Sequence, residues 1–590
     1  MSENDATFIG TVEAVRGSAV SVRLRTHLPT LVMIEGQSYR IGQIGAFVRV
    51  PLGYTQLYAV TTLVGAAPVT EAEEQIEIKH EPGQKWMSVT LFGEAVGDSF
   101  DRGVSQYPTV GDEVHLVTLG DMKRIYGTLK GERSIVVGNI AAASGIPACL
   151  DLPKLISRHT AVVGSTGSGK SNLVAVLLEA IAGQSLPSSR VLLIDPHGEY
   201  ASALGDYAKV FRISPDSDKG EQPLYIPFWS LPFDDLRNIA LGTLGMHDTP
   251  LRDMITERKV KAAIHLSSRP PDAKIIADSP IPYSLKQLWF DLIDFERQTF
   301  LKPKGEQPTA VDKAGDPELL TPNEYPKPNP GGQPPHSNPG ARHLDKQLDL
   351  LKSRLIDKQY AFMFQPGPEL TPSVNGETKG DLDSLVASWV GHKKPLTILD
   401  VSGVPPELLS LVVGTMLKVI YDLLFWAAPL PVSGRNQPLL IVLEEAHLFL
   451  PAKGDTLAHR TVARIAKEGR KYGIGICVVT QRPTELDTTI LSQCGTILAL
   501  RLSNEQDRSI VKSALPDDLG ALSGMLPSLR TGEAIAVGEA VAIPSRMMFR
   551  RARRRPRGDD PQMPEAWQQD RPCPWYYFEA LSRWRSQSIN

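Results

Sequence analysis

The densest concentration of chemistry in the 590-residue sequence is Gly164-Ser165-Thr166-Gly167-Ser168-Gly169-Lys170-Ser171. It fits the pattern glycine, four residues, Gly-Lys-Ser that wraps phosphate. The glycines let backbone N–H groups turn inward around phosphate oxygens, and the helix expected over 172–182 adds partial positive charge at its start. Lys170 is placed to reach the β- and γ-phosphates, and Ser171 to hold Mg2+. Asn172 completes the expected nucleotide-binding set.

Leu439-Leu-Ile-Val-Leu443 followed by Glu444 and Glu445 is the second signal. A buried strand ending in two acids is a Walker B pattern. Glu444 stands where Asp is usual and would hold the metal; Glu445 is the candidate general base for the attacking water. Val191–Ile194 runs into Asp195-Pro-His197-Gly-Glu199-Tyr200, which puts polar groups at the carboxyl end of a strand, where open α/β sheets bind ligands. Asp195 is the candidate metal ligand there, with His197 and Glu199 beside it; an ordinary polar turn is the alternative. A similar strand ends at Asp400-Val-Ser402-Gly403. Its place between the two Walker motifs suggests the extra strand that separates them in oligomeric motors.

Lys467-Glu-Gly-Arg470-Lys471-Tyr-Gly precedes another apolar strand, which ends in Thr480-Gln481. A Gln at a strand tip beside the γ-phosphate can orient water or sense the nucleotide. Arg470 or Lys471 is positioned by sequence to act as a finger in a neighbouring subunit's site, or simply to be a solvated helix charge. Arg546, Arg550, Arg551, Arg553, Arg554, Arg555 and Arg557 form a basic run that either neutralises phosphate or is a solvated tail.

The elements needed to position these residues follow from hydrophobic patterning. Six continuous apolar runs, at 160–163, 191–194, 396–399, 439–443, 474–479 and 496–500, alternate with helical patterns. That is the signature of a parallel sheet covered on both faces. Residues 1–130 instead show short alternating runs, such as Val20, Val22 and Leu24, punctuated by glycine; they predict a small β-barrel or sandwich. Residues 215–385 read as a largely helical insertion, with an amphipathic helix marked by Leu344, Leu348, Leu351 and Leu355. Within it, 302–342 is so proline-rich that a flexible surface loop is expected. The expected organisation is therefore a barrel at 1–130, an α/β core at 131–214 and 386–550, the insertion between them, and a basic and aromatic tail at 551–590.

Composition sets the outer bounds. The chain is 42% hydrophobic and 22% charged with a net charge of −3, so it is neither mostly disordered nor basic as a whole. Its four cysteines, Cys149, Cys477, Cys494 and Cys573, have neither zinc nor disulfide-framework spacing. The acidic, polar start does not read as a signal peptide. The most membrane-like stretch, 411–430, carries Lys418 and Asp422. A soluble cytoplasmic protein, with no membrane partner, is expected.

Together the motifs resemble those of HerA, a hexameric ATP-driven DNA translocase of the FtsK-like P-loop branch, bacterial type. The likeness rests on Arg158-His159, the glycine-rich loop, Asp-Pro-His-Gly-Glu-Tyr200, Glu-Glu-Ala-His447, Glu-Gly-Arg470-Lys-Tyr-Gly, Thr-Gln481-Arg-Pro and Leu529-Arg530-Thr-Gly532-Glu533. It covers about 134–550 and implies a RecA-like P-loop core using ATP and Mg2+ at sites between subunits of a ring. Lys170, Glu444, Glu445, Gln481 and Arg470 fall on matching positions, and Arg158 is a further candidate for reaching nucleotide. The resemblance also implies duplex DNA in a central pore and a separate nuclease or sirtuin-like effector subunit docked on the barrel. DNA end processing and anti-phage defence are the settings it implies. An ATP-switched scaffold for an effector, with little translocation, is the alternative; a conjugation-type ATPase at a membrane is a third, disfavoured by the absence of a spanning segment.

Overall fold

The computed structural model describes residues 5–34, 36–65, 84–127, 133–141, 143–243, 245–514, 517–558, 563, 567–571 and 573–586. At the N-terminal end, strands Phe8–Arg16, Ala19–Leu24, Phe47–Leu52, Thr55–Gly65, Trp86–Val96 and Glu113–Leu116 form an antiparallel sheet. Pairing of Ala19–Leu24 with Trp86–Val96 closes it into a six-stranded barrel. Alternation sends Val20, Val22, Val48, Val50, Leu57, Ala59, Met87 and Val89 inward, where all are buried. Closure leaves the barrel strands no open edge.

The second sheet has twelve strands. Its parallel part runs, side by side, Thr496–Ala499, Thr160–Val163, Ile474–Thr480, Leu439–Leu443, Arg190–Asp195, Leu396–Asp400, Ala208–Arg212 and the two-residue Gln222–Pro223. The six apolar runs are all present at their expected places. The strand separating the glycine-rich loop from the two glutamates is Ile474–Thr480, however, and not the one ending at Asp400. Leu396–Asp400 lies on the far side of Arg190–Asp195. Order along the chain does not fix order across a sheet. Ala208–Arg212, with only part of its length buried, was too short and mixed to read from sequence. An antiparallel flank completes the sheet: Glu533–Gly538, Ser545–Phe549, Ser134–Ile140 and Ala143–Asp151.

The central strands are buried on both faces. Val191, Leu193, Leu440 and Val442 join one core with the helix Lys170–Ala182 and with Phe47, Tyr58 and Phe100 of the barrel. Their neighbours Leu192, Ile194, Leu439 and Ile441 join a second core with the insertion. The two cores follow from the two-residue period of a strand. Helix Pro406–Trp426 is long and apolar enough to cross a membrane by length and composition. Here its stripe of Leu408, Val412, Met416, Ile420 and Leu424 is buried in the second core, against helix Leu457–Glu468, while Lys418 and Asp422 pair on its outer side.

The insertion is built from helices including Phe233–Ala240, Asp248–Ala262, Leu285–Arg297 and Asp345–Ile356, the last burying Leu348, Leu351 and Leu355 as its spacing predicts. The proline-rich segment contributes little to either core, as composition requires, but it is not loose. Asn323 and Tyr325 donate to Asp294 at 2.7 Å, Asn338 donates to the Phe295 carbonyl at 2.6 Å, and Glu296 accepts from the amides of Arg342 and His343. Polar contacts to the last turn of helix Leu285–Arg297 do the ordering that apolar burial does not. At the other end of the chain, helix Trp575–Ser586 leaves Trp575, Tyr576, Tyr577, Phe578 and Trp584 exposed.

Candidate nucleotide site

Strand Thr160–Val163 ends at Gly164, and helix Lys170–Ala182 begins six residues later. The turn between them uses left-handed backbone at Gly167 (φ 71°) and Gly169 (φ 96°). A side chain at Gly169 would also strike the Gly532 amide, 2.8 Å from the added carbon. The loop is therefore glycine-rich for conformation and for clearance. It is braced from outside. The Gly532 amide donates to the Ser168 carbonyl at 2.9 Å, Arg501 donates to the Gly167 carbonyl at 3.3 Å, and Ser165 donates from its amide and hydroxyl to the Arg501 carbonyl.

Lys170 is buried, and its ammonium donates to Glu445 Oε1 at 3.0 Å. Glu445 sits at the carboxyl end of Leu439–Leu443 with left-handed backbone (φ 46°), a conformation uncommon outside glycine. Its second oxygen, Oε2, lies 3.3 Å from His447 Nδ1, and the same nitrogen is 3.2 Å from the Thr480 hydroxyl. Burial holds the His447 imidazole below its ordinary range. Gln481, one residue on, accepts a hydrogen bond from the Thr166 hydroxyl at 2.7 Å. The strand Ile474–Thr480 thus delivers Gln481 to the glycine-rich loop because it lies directly beside Thr160–Val163.

Glu444 is buried behind Glu445, with Oε2 lacking a hydrogen-bond partner among the described residues. Burial first, then the charges of Glu445 and Asp195, push its carboxyl up to about 8, against the opposing pull of Lys170. The phenol of Tyr200, itself buried, lies beside both Ser171 and Glu444. A buried carboxylate with an orphaned oxygen, an ammonium and a glycine cradle form a donor set that fits a phosphate chain with a hard cation.

Four expected site residues are placed elsewhere. Asp195 is fully buried but spends its carboxylate on its own turn, accepting from the amides of His197, Gly198 and Tyr200 at 3.2, 2.9 and 3.0 Å. Its carboxyl is pushed up to about 6, by burial above all. It shapes the turn that presents Tyr200 and is not a free metal ligand. Asn172 turns away from the loop: its side chain donates to the Arg550 carbonyl and accepts from the Ala552 amide, both at 2.9 Å. Arg158 precedes the strand whose far end carries the loop, about 13 Å away at 3.3 Å per residue; it pairs with Glu539 at 3.3 Å. Arg470 is exposed at the amino end of Ile474–Thr480, opposite Gln481, and is not brought to this chain's loop.

Part of the basic run is engaged within the chain. Arg546 pairs with Glu533 at 2.6 Å, Arg550 with Glu179 at 2.7 Å and Arg554 with Asp206 at 3.1 Å. Residues that sequence reasoning assigned no role, Arg501, Thr531, Tyr200 and His447, all sit at the site. Tyr200, His447 and Thr531 lie inside the motifs that carry the resemblance; Arg501 has no signal beyond its place after an apolar strand.

Residues 135–420 match the helicase HerA central domain and residues 410–552 the helicase HerA-like C-terminal domain. The probable DNA double-strand break repair helicase HerA of Methanocaldococcus jannaschii is 26% identical over 461 residues, covering 73% of this chain and 79% of that protein. The DNA double-strand break repair helicase HerA of Saccharolobus solfataricus is 27% identical over 412 residues, covering 70% and 68%. Among solved structures, VirB4 of Thermoanaerobacter pseudethanolicus is 15% identical, with 72% of this chain and 97% of that chain aligned at a TM-score of 0.43.

Proposed function

The chain belongs to the HerA-like helicases, whose two domain models together match 135–552, and on that premise we propose that it is an ATPase that moves duplex DNA. The observation carrying this reading is the convergence of Lys170, Glu445, Thr166 and Gln481 around one glycine-rich loop. The loop amides and Lys170 bind the phosphates of ATP. Transfer of Lys170 from Glu445 to the phosphates frees the Glu445 carboxylate to take a proton from water. The water oxygen bonds to the γ-phosphorus, the bond to the β-bridging oxygen breaks, and ADP and phosphate result. Gln481 orients that water. Mg2+, when bound, neutralises phosphate charge, with Ser171 and Glu444 as its protein ligands.

We further propose a homohexameric ring with duplex DNA in its pore, since Arg470 lies away from its own loop and could act only in a neighbour's. The barrel is the proposed docking surface for a separate nuclease or sirtuin-like effector, in DNA end processing or anti-phage defence.

Steady-state ATP hydrolysis with and without long duplex DNA tests the reading, with Lys170→Ala as the blank. Stimulation by DNA is expected. Glu445→Gln should bind ATP and lose about a hundredfold or more in turnover. Near-normal turnover in that variant would remove Glu445 as the base. Hydrolysis indifferent to DNA would favour an ATP-switched scaffold for the effector.

A further inference from the structure

His159, the residue before strand Thr160–Val163, is 5% exposed and has left-handed backbone (φ 53°). Glycine adopts that conformation freely; on a histidine it is a cost that the surroundings must impose. Both ring nitrogens are engaged, and both with backbone far along the chain. Nδ1 accepts from the Ile476 amide at 3.1 Å, and Nε2 donates to the Ala466 carbonyl at 3.1 Å. An accepting Nδ1 leaves the proton on Nε2. Burial holds the imidazole below its ordinary range, so the ring is neutral in this role.

The two groups it holds flank one feature. Ala466 lies in the last turn of helix Leu457–Glu468, and Ile476 near the start of strand Ile474–Thr480. Between them runs the turn Gly469–Tyr472, which carries Arg470 and Lys471. Backbone pairing of that strand with Thr160–Val163 begins only at Cys477 and Thr160. The imidazole therefore carries the contact past the end of the ladder, and reaches across to the helix as well. The turn is also held from its other side. Arg435 donates to the Lys471 carbonyl at 2.8 Å. Gly473, with left-handed backbone (φ 69°), packs so closely on Gly434 that an added carbon would overlap its carbonyl oxygen.

Arg470 and Lys471 themselves are exposed, and the Arg470 guanidinium has no partner among the described residues. A buried, strained histidine thus fixes the backbone around an exposed, unpaired arginine. That is preorganisation: the cost of placing the arginine is met on folding and not on contact. We infer that His159 is a positioning residue for Arg470, clamping both stems of the turn so that the guanidinium meets the nucleotide of the neighbouring subunit. This rests on the proposal that Arg470 acts across a subunit boundary. The competing role for His159 is support of its own chain's glycine-rich loop, which the next strand carries.

His159→Asn separates the two. Asparagine tolerates left-handed backbone and keeps an acceptor for Ile476, but loses the donor to Ala466. Its kcat for ATP hydrolysis should fall about ten- to a hundredfold, with KM near the parent's. In mixed rings, with assembly confirmed by mass, it should behave as Arg470→Ala does. Mixed with Lys170→Ala it should regain activity, because intact Lys170 then faces an intact Arg470 turn at some junctions. Mixed with Arg470→Ala it should regain none. His159→Gln, which keeps the donor to Ala466 and gives up the acceptor, replaces it if His159→Asn does not fold. Parent-like turnover, recovery with Arg470→Ala in place of Lys170→Ala, or failure of both variants to fold overturns the inference. The pair Lys170→Ala and Arg470→Ala is the control. Recovery there, with none for His159→Asn and Lys170→Ala, overturns the inference alone; a flat control overturns the reading beneath it as well.

Discussion

At the scale of single residues, the site is a cluster of charges that hold one another in check. Lys170 is bound to Glu445, Glu445 is also beside His447, and Glu444 is left behind them without a counterion of its own. Glu444 then favours its protonated form, with a carboxyl near 8 against an ordinary 4.5. Between those values the folded chain holds a proton that the unfolded chain has released. By linkage, this contribution to stability is full below about pH 4.5 and is lost as pH rises through about 8. Glu444→Gln mimics the protonated form permanently. Nucleotide-free Glu444→Gln should therefore melt higher than the parent at pH 8, with a difference that shrinks toward pH 5. Thermal melts across that range check it; a difference that is constant with pH would mean that Glu444 is already ionised in the free protein. Residue types were legible here and partners were not. Sequence spacing marked Asp195 as a metal ligand, but three backbone amides two, three and five residues on claim its carboxylate. No pattern of letters distinguishes a carboxylate facing a ligand from one capping its own turn.

At the scale of elements, the glycine-rich loop is held by its surroundings as much as by its own sequence. The segment after Phe549 lies across helix Lys170–Ala182. Asn172 takes its backbone at Arg550 and Ala552, and Glu179 takes the Arg550 side chain and the Arg553 amide. The helix that follows the glycine-rich loop is thereby fixed on its first and third turns. Asn172→Ala should lower stability by about 1–3 kcal/mol, the range for buried hydrogen bonds left unmade. ATP affinity should change far less than in Lys170→Ala. Equilibrium unfolding together with nucleotide titration separates the two effects; a variant that keeps its stability and loses ATP would return Asn172 to the binding set. The six parallel strands were legible because each is buried on both faces and so continuously apolar. The strands Ala208–Arg212 and Ser545–Phe549 are not legible in the same way, because they mix polar with apolar residues; Glu533–Gly538 is apolar and buried but joins the sheet antiparallel on its flank. In the proline-rich segment side-chain amides and carboxylates make the contacts, and hydrophobicity does not register them.

At the scale of the whole molecule, two connections link the loop to distant surfaces. Arg102 of the barrel donates to the carbonyls of Gly538, Val541 and Ala542, and the strand ending at Gly538 begins at the turn that braces the glycine-rich loop. The strand Glu533–Gly538 thus joins the turn that braces the loop to the carbonyls held by Arg102. The other connection runs outward. Arg470 is exposed at the end of Ile474–Thr480 remote from Gln481, so it serves chemistry only if a second chain brings a loop to it. In a ring, each site would then take Lys170 and Glu445 from one subunit and Arg470 from the next. Lys170→Ala and Arg470→Ala proteins should each be nearly inactive alone. Mixed rings contain junctions at which an intact Lys170 meets an intact Arg470, and there activity should return, rising to a maximum near equal proportions. A residue acting within its own chain gives no such junction, because every subunit in the mixture carries one defect. Hydrolysis measured across mixing ratios, with mixed assembly confirmed by mass, therefore separates the two arrangements, and a flat line through confirmed mixed rings would confine the effect of Arg470 to its own chain.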